Sequence, residues 1–249
     1  RWDIGDHAFL LSEQDEYVRL LIVPVSMADN RGRVERVRDY DIRKRLEDRV
    51  LERPNGDVII DQIPMADQGR KGYCSPATAE RFLRYFGIQV DMYALARVAK
   101  TGFGGGTYSD DLLDAISDIA RKNKRTFKRV SMKPEVRDVS KYIDEGMPIM
   151  WTVYSQNNLY HEGINRQSRQ RQSVKSLKIW EKQLEKANDR AEDITISREV
   201  GHSCMIIGYN EQTDEIATSD SWGPEYVERW MTETEAELFS QGRFYIMED

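Results

Sequence analysis

Four side chains in this sequence have the types needed for nucleophilic acyl chemistry: Cys74, His202, Asp220 and Gln68. Cys74 lies in Gln68-Gly69-Arg70-Lys71-Gly72-Tyr73-Cys74-Ser75-Pro76, where Ser75 and Pro76 signal a helix start. A thiol at the positive end of a helix is favoured as thiolate, with pKa values of ~3.5–7.5 instead of ~8.5. The thiolate is the form that attacks carbon. Of the three histidines, His202 opens an apolar run, Gly201-His202-Ser203-Cys204-Met205-Ile206-Ile207-Gly208-Tyr209, which reads as a strand. The next strand, Glu215 to Ser219, leads into Asp220-Ser221-Trp222-Gly223. Antiparallel neighbours of this kind bring Asp220 beside His202, so that a carboxylate accepts from one ring nitrogen and leaves the other facing the thiol. Gln68, six residues before Cys74, can set its amide beside the Cys74 N–H as the second donor of an oxyanion hole. Gly72, Tyr73 and Gly201 are the nearest candidates for substrate contact, since glycine lets a peptide approach the backbone closely.

Each residue has a plainer reading. Cys74 could be a buried structural thiol, His202 a core histidine, Asp220 a turn cap and Gln68 a loop amide. The helix-start setting of Cys74 and the His202–Asp220 order favour the chemical reading. His161, in Asn157-Asn158-Leu159-Tyr160-His161, is the rival base, and His7 reads as structural or exposed. Cys204 falls on the same strand face as His202 and reads as core. Trp222 reads as core or as a lid over the Asp–His pair. Gly104 to Gly106 lack the lysine and helix start of a phosphate loop, and no Cys/His cluster has zinc spacing, so neither metal nor cofactor is expected.

These pieces together resemble the papain-like cysteine peptidases, and within them the bacterial peptidase C39-like group. The matched residues are Gln68-Gly69 followed by Cys74, Gly201-His202 with its strand to Gly208-Tyr209, and Asp220-Ser221-Trp222-Gly223. His202 follows Cys74 by 128 residues, close to the ~130–150 of papain-type enzymes. Ser75 stands where papain has an aromatic residue, the structural disulfides are missing, and Asp220 replaces the third-member asparagine. These departures point to the C39-like branch. The resemblance implies amide hydrolysis through a thioester, a Cys-His-Asp triad, and a peptide or protein substrate. Two other classes remain open: a transglutaminase-like acyltransferase using the same three residue types, and a catalytically silent peptide-binding module.

The elements that must carry these residues follow from periodicity. Helices are expected after Cys74 to Gly87, after Asp91, after Ser109 and over Pro134 to Glu145. Strands are expected at Met147 to Tyr154, His202 to Tyr209, Glu215 to Ser219 and Phe244 to Met247. Helices first and antiparallel strands later give an α+β fold, helical half bearing the Cys and sheet half bearing His and Asp. A helical insertion is expected at about 163–195: Leu177, Trp180, Leu184, Ala187 and Ala191 form a narrow seam, and residues 166–190 carry eight bases against three acids, read as a solvated face. Residues 1–59 read as a small N-terminal α/β subdomain. It would hold a hairpin of Ala8–Leu11 and Tyr17–Val23, a turn at Asp29 to Gly32 and a charged helix from Arg33 to Arg53. The peptidase-like domain would be 60–249.

Composition narrows the rest. Of 249 residues 39% are apolar and 10% aromatic, enough for one large packed core. A net charge of -6 argues against a nucleic-acid partner, and no run approaches the ~18 apolar residues of a membrane span. Two cysteines exclude a disulfide-rich scaffold. The chain begins at Arg1, so a preceding segment is expected to have been removed or omitted together with any export signal; the compartment is left open, an exported address being slightly preferred to a cytoplasmic one.

Overall fold

The computed structural model describes residues 2–4, 7–14, 17–24, 46–69, 72–99, 110–155, 159–174 and 176–248. Contacts divide the chain into two units, Arg1–Ile42 and Arg43–Asp249. The first holds a three-stranded antiparallel sheet of β1 (Trp2–Ile4), β2 (His7–Gln14) and β3 (Tyr17–Pro24), with β2 and β3 paired along their full length from His7↔Pro24 to Gln14↔Tyr17. The turn at 29–32, the body of the charged helix, the glycine loop 102–106 and the Ser109 cap lie outside the described residues.

The second unit is built on an eight-stranded sheet in which every pairing is antiparallel. Its strands are β4 (Val50–Glu52), β5 (Asp57–Ile60), β6 (Thr126–Val130), β7 (Ile149–Tyr154), β8 (Gly201–Asn210), β9 (Glu215–Ser219), β10 (Arg229–Thr232) and β11 (Ser240–Glu248). The main order is β10-β9-β8-β7-β11-β6. β8 is the organising strand. Along its first half it pairs with β7, and at Gly208 to Asn210 it pairs with β5. Gly208 is glycine for a steric reason: a Cβ there would lie 2.5 Å from the Val58 carbonyl oxygen.

Two expectations are corrected at this edge. The charged segment expected as helix to Arg53 becomes strand β4 at Val50–Glu52, because Pro54-Asn55-Gly56 closes a hairpin onto β5 through Arg53 N→Asp57 O (2.8 Å) and Gly56 N→Arg53 O (2.9 Å). The division between units also falls earlier than the expected 59/60 boundary, since β4 and β5 belong to the main sheet.

Helix α1 (Cys74–Tyr85) packs on β8 and β7 and is buried on nearly every side. A helix so enclosed must satisfy each polar group internally. It does so: Thr78 Oγ1 donates to Ser203 O (2.9 Å), Glu80 accepts from Met92 N (2.8 Å), and Arg81 donates to Pro64 O (2.8 Å). Its end is a Schellman turn, with Gly87 at φ +79°, Gly87 N→Arg84 O (3.0 Å) and Ile88 N→Leu83 O (2.9 Å). The start differs from expectation. Tyr73, not Ser75, is the N-cap and makes no side-chain cap bond. Ser75 is inside the first turn, and its hydroxyl bonds Ser203 Oγ at 2.7 Å.

Helices α2 (Met92–Val98, capped by Asp91), α3 (Asp110–Lys122) and α4 (Val136–Ile143) complete the helical half. In α3, Leu112, Ile116 and Ala120 step by four into the core. Between β7 and β8 the chain forms a π-helical turn (Leu159–Gly163), α5 (Ile164–Arg171) and α6 (Leu177–Asp193). The single helix expected over 166–190 is therefore two. The break has a cause: Arg171 turns inward onto Asp57 and Glu215, and Trp180, early in α6, donates to the same Glu215 oxygen (2.9 Å). Helix α7 (Glu233–Phe239) starts with a capping box between Thr232 and Glu235.

Candidate active site

Cys74 is the first residue of α1 and 5% exposed; His202 is the second residue of β8 and 4% exposed; Asp220 follows β9 and is fully buried. Two strands and a helix separated by more than a hundred residues of sequence thus bring three side chains together. His202 Nε2 lies 2.5 Å from Asp220 Oδ1, and the Cys74 thiol lies close enough to the same ring for each group to shift the other's pKa. With Nε2 engaged by the carboxylate, Nδ1 is the nitrogen left for sulfur.

The charges follow from these contacts. Burial pushes the Cys74 thiol up, but the hydrogen bond and positive charge of His202, helped by the Ser203 backbone and Ser75, draw it below the ordinary thiol value. Burial pulls His202 down, yet Asp220 and Cys74 together raise it to about 9. Burial would raise Asp220, but Arg229 and His202 hold its carboxyl well below the usual carboxylate range. Both shifts run in the direction of a thiolate–imidazolium pair.

Several neighbours were not singled out as site residues from sequence. Tyr160 donates its hydroxyl to Asp220 Oδ1 at 3.2 Å. Arg229 donates through Nε to Asp220 Oδ2 at 2.9 Å and through Nη2 to the same oxygen. Arg81 donates to the hydroxyls of Ser219 and Ser221, on either side of Asp220. No common signature marks Tyr160, since a π-turn has no turn residues of its own. Arg229 had a signal available in the capping box Thr232-Glu233-Thr234-Glu235, which ends a short strand just after it.

Trp222 covers the pair as its lid reading required: its ring stacks on His202 with centroids 4.4 Å apart. It also stacks on His161 at 4.6 Å. His161 is thus near the site but meets an indole rather than the carboxylate. Burial first, then the charges of Arg229 and His202, lower its pKa and favour its neutral form. Cys204 is fully buried and its thiol is pushed far up by burial.

Gln68 is held by its backbone, whose N–H donates to Ser221 O at 2.8 Å. Its side-chain oxygen is buried and has no hydrogen-bond partner among the described residues. Gly72 has φ +69° immediately before the half-buried Tyr73, whose ring meets Tyr93 edge-on at 6.0 Å. Gly201 admits Gln241, which would lie 2.9 Å from a Cβ at that position. Among the described residues no group of three or more His, Cys, Asp or Glu side chains is set to hold a metal ion, and no helix is long and apolar enough to cross a membrane.

A family described as Peptidase_C39 like family matches residues 60–247, three quarters of the chain. The chain belongs to that family. Its fold is the papain-like one, a helical half against an antiparallel curled sheet. A C39-like peptidase from Bacillus anthracis superposes with TM-score 0.50 at 14% identity, covering 78% of this chain and 98% of its own. Xylellain, a cysteine protease from Xylella fastidiosa, gives 0.48 at 12% identity over 82% and 88%. The peptidase domain of Streptococcus ComA gives 0.45 at 13% over 75% and 98%. Of these, the likeness to the Bacillus anthracis protein speaks for the fold alone. No curated protein sequence matches the chain.

Proposed function

We propose that this chain is a cysteine peptidase that hydrolyses a peptide amide through a thioester, with Cys74, His202 and Asp220 as its triad. The observation that carries the proposal is the short His202–Asp220 contact beside Cys74, the first residue of a buried helix, with the thiol and the imidazole shifting each other's pKa. Cys74 Sγ attacks the carbonyl carbon as thiolate. The oxyanion accepts from the Cys74 N–H and the Gln68 side-chain amide. The imidazolium of His202 gives its Nδ1 proton to the leaving amine, and the C–N bond breaks. His202 then takes a proton from water, the hydroxyl adds to the thioester carbon, and Cys74 leaves as thiolate. Asp220 keeps its negative charge throughout and holds the ring. The substrate is a peptide or protein segment laid along the Gly72–Tyr73 and Gly201 backbone.

The test is the rate at which iodoacetamide alkylates Cys74. A free thiol is almost wholly protonated at pH 6, so the ion pair should speed the reaction there by on the order of 10²-fold, and His202→Ala should remove the gain. An ordinary thiol profile in the unaltered chain would end the peptidase reading. A second expectation separates the oxyanion donor from the nucleophile. Gln68→Ala should lower peptide turnover ~10²–10³-fold while leaving the alkylation rate unchanged, because the amide acts only once an oxyanion exists. Equal turnover in that variant would remove Gln68 from the mechanism.

A further inference from the structure

Resting on the peptidase reading, we propose that Arg229 is a positioning residue that acts through Asp220, orienting its carboxylate and keeping it charged so that His202 Nδ1 stays free to take the Cys74 proton. Asp220 is fully buried, so water satisfies neither of its oxygens. His202 and Tyr160 occupy Oδ1, and the Nε and Nη2 of Arg229 occupy Oδ2. Both lone-pair regions are therefore taken by donors, and the carboxylate plane is fixed from two sides. The guanidinium is itself built in. It is 1% exposed, its Nη1 donates to Asn165 Oδ1 at 3.1 Å, and it lies 5.0 Å from the ring centres of both Trp222 and Tyr160. Those two rings also touch His202.

A mere staple between neighbouring strands explains this less well. β9 and β10 already pair from Arg229↔Thr218 to Thr232↔Glu215, and the Asp220 backbone N–H is bonded to Tyr226 O at 2.9 Å. The registration of the chain is complete without the buried guanidinium. What only the guanidinium supplies is charge at the carboxylate. The other ionisable groups that act on Asp220 or reach it are His202 and Cys204 on β8, Arg81 on α1, and Tyr160 and His161 on the π-turn, with Cys74 beyond His202. Arg81 is the only other cation of fixed charge in that set, and it bonds the flanking serines, not the carboxylate. Without Arg229 the buried carboxyl would take up a proton at higher pH. Its O–H would then donate to Nε2, drive the ring proton onto Nδ1, and remove the acceptor that Cys74 requires.

The experiment uses the full chain with Arg229→Met, Arg229→Lys and the unaltered protein. Cys74 alkylation by iodoacetamide is followed from about pH 4 to pH 9, beside thermal unfolding. The acid limb should move up by about one pH unit or more in Arg229→Met and return to within about half a unit of the unaltered curve in Arg229→Lys. A limb that stays in place in Arg229→Met while the unfolding temperature falls would show a staple and overturn the proposal. If the methionine variant does not fold, Arg229→Gln is read by the same criteria. The unaltered curve tests the ion pair itself, and only the difference between curves tests Arg229, so the two readings fail separately.

Discussion

Cys74→Ala should abolish peptide hydrolysis, with turnover down by at least ~10⁴-fold and the fold kept. Removing the nucleophile of such a triad costs about as much as removing the whole triad, because the remaining members have nothing to activate. Here the loss should be complete for a structural reason. Asp220 holds the ring of His202 through Nε2, and without the sulfur the acyl-enzyme cannot form. The side chain carries little of the architecture. Its sulfur makes a long hydrogen bond to Ser75 Oγ, at 3.9 Å, and Tyr73, not Cys74, is the N-cap of the helix. The unfolding temperature should move by only a few degrees, read by circular dichroism alongside a peptide-cleavage assay. Cys74→Ser should fare little better, since imidazole does not ionise a hydroxyl beforehand as it does a thiol. Hydrolysis surviving in Cys74→Ala would remove the thioester route.

The largest expected loss of stability is at Arg171→Ala. This guanidinium joins three elements: Nη1 donates to Asp57 Oδ2 on β5 at 2.7 Å, Nη2 donates to Oδ1 of the same carboxylate, and Nε donates to Glu215 Oε2 on β9 at 3.1 Å. Asp57 is 1% exposed and Glu215 not at all. Deleting the cation leaves two buried carboxylates without it: Asp57 keeps the donors Asn210 at 2.7 Å and Asn55 at 2.9 Å, and Glu215 keeps Trp180 at 2.9 Å. Breaking a buried pair in this way costs ~3–5 kcal/mol. For a domain of this size that lowers the unfolding temperature on the order of 10 °C. The sign with pH is fixed by Asp57. Burial would raise its pKa, but Arg171 and Asn210 hold it below the ordinary 3.8. Its contribution is therefore fully present above the unfolded value and is lost as pH falls through the lower folded one. The gap between Arg171→Ala and the unaltered chain should be widest near neutrality and narrow in acid. Thermal unfolding at several pH values checks both claims, and an Arg171→Ala variant as stable as its parent would refute them.

How far the sequence could be read depended on whether a residue's role is set locally. Cys74 was legible because glycines, a helix start and a thiol sit within a few positions. The adjacency of His202 and Asp220 was legible because one apolar run of strand character opens at the first and the next ends just before the second. Trp222 was legible as a lid for the same reason. Arg229 and Tyr160 were not, because each earns its place only by meeting Asp220 across the fold, and an arginine in Val227-Glu228-Arg229-Trp230 looks like any surface base. Arg171 was absorbed into a basic, solvated face for want of knowing that Asp57 and Glu215 wait beneath it. Ser75 was misread as a cap because its true partner, Ser203, lies 128 positions away. β4 was misread as helix because its apolar positions fit a helical stripe, while the hairpin with β5 that decides the matter is a pairing and not a pattern.

The division of labour between α1 and β8 has a consequence for the chain during its synthesis. Cys74 leaves the ribosome long before His202, and His202 before Asp220 and Arg229. Until the last fifth of the polypeptide has emerged, β8 has no β9 or β11 beside the β7 edge to hold it, and the thiol has no stable imidazole. The nascent chain therefore carries an ordinary cysteine. On the proposed triad, an unfinished copy would therefore react only as an ordinary thiol does.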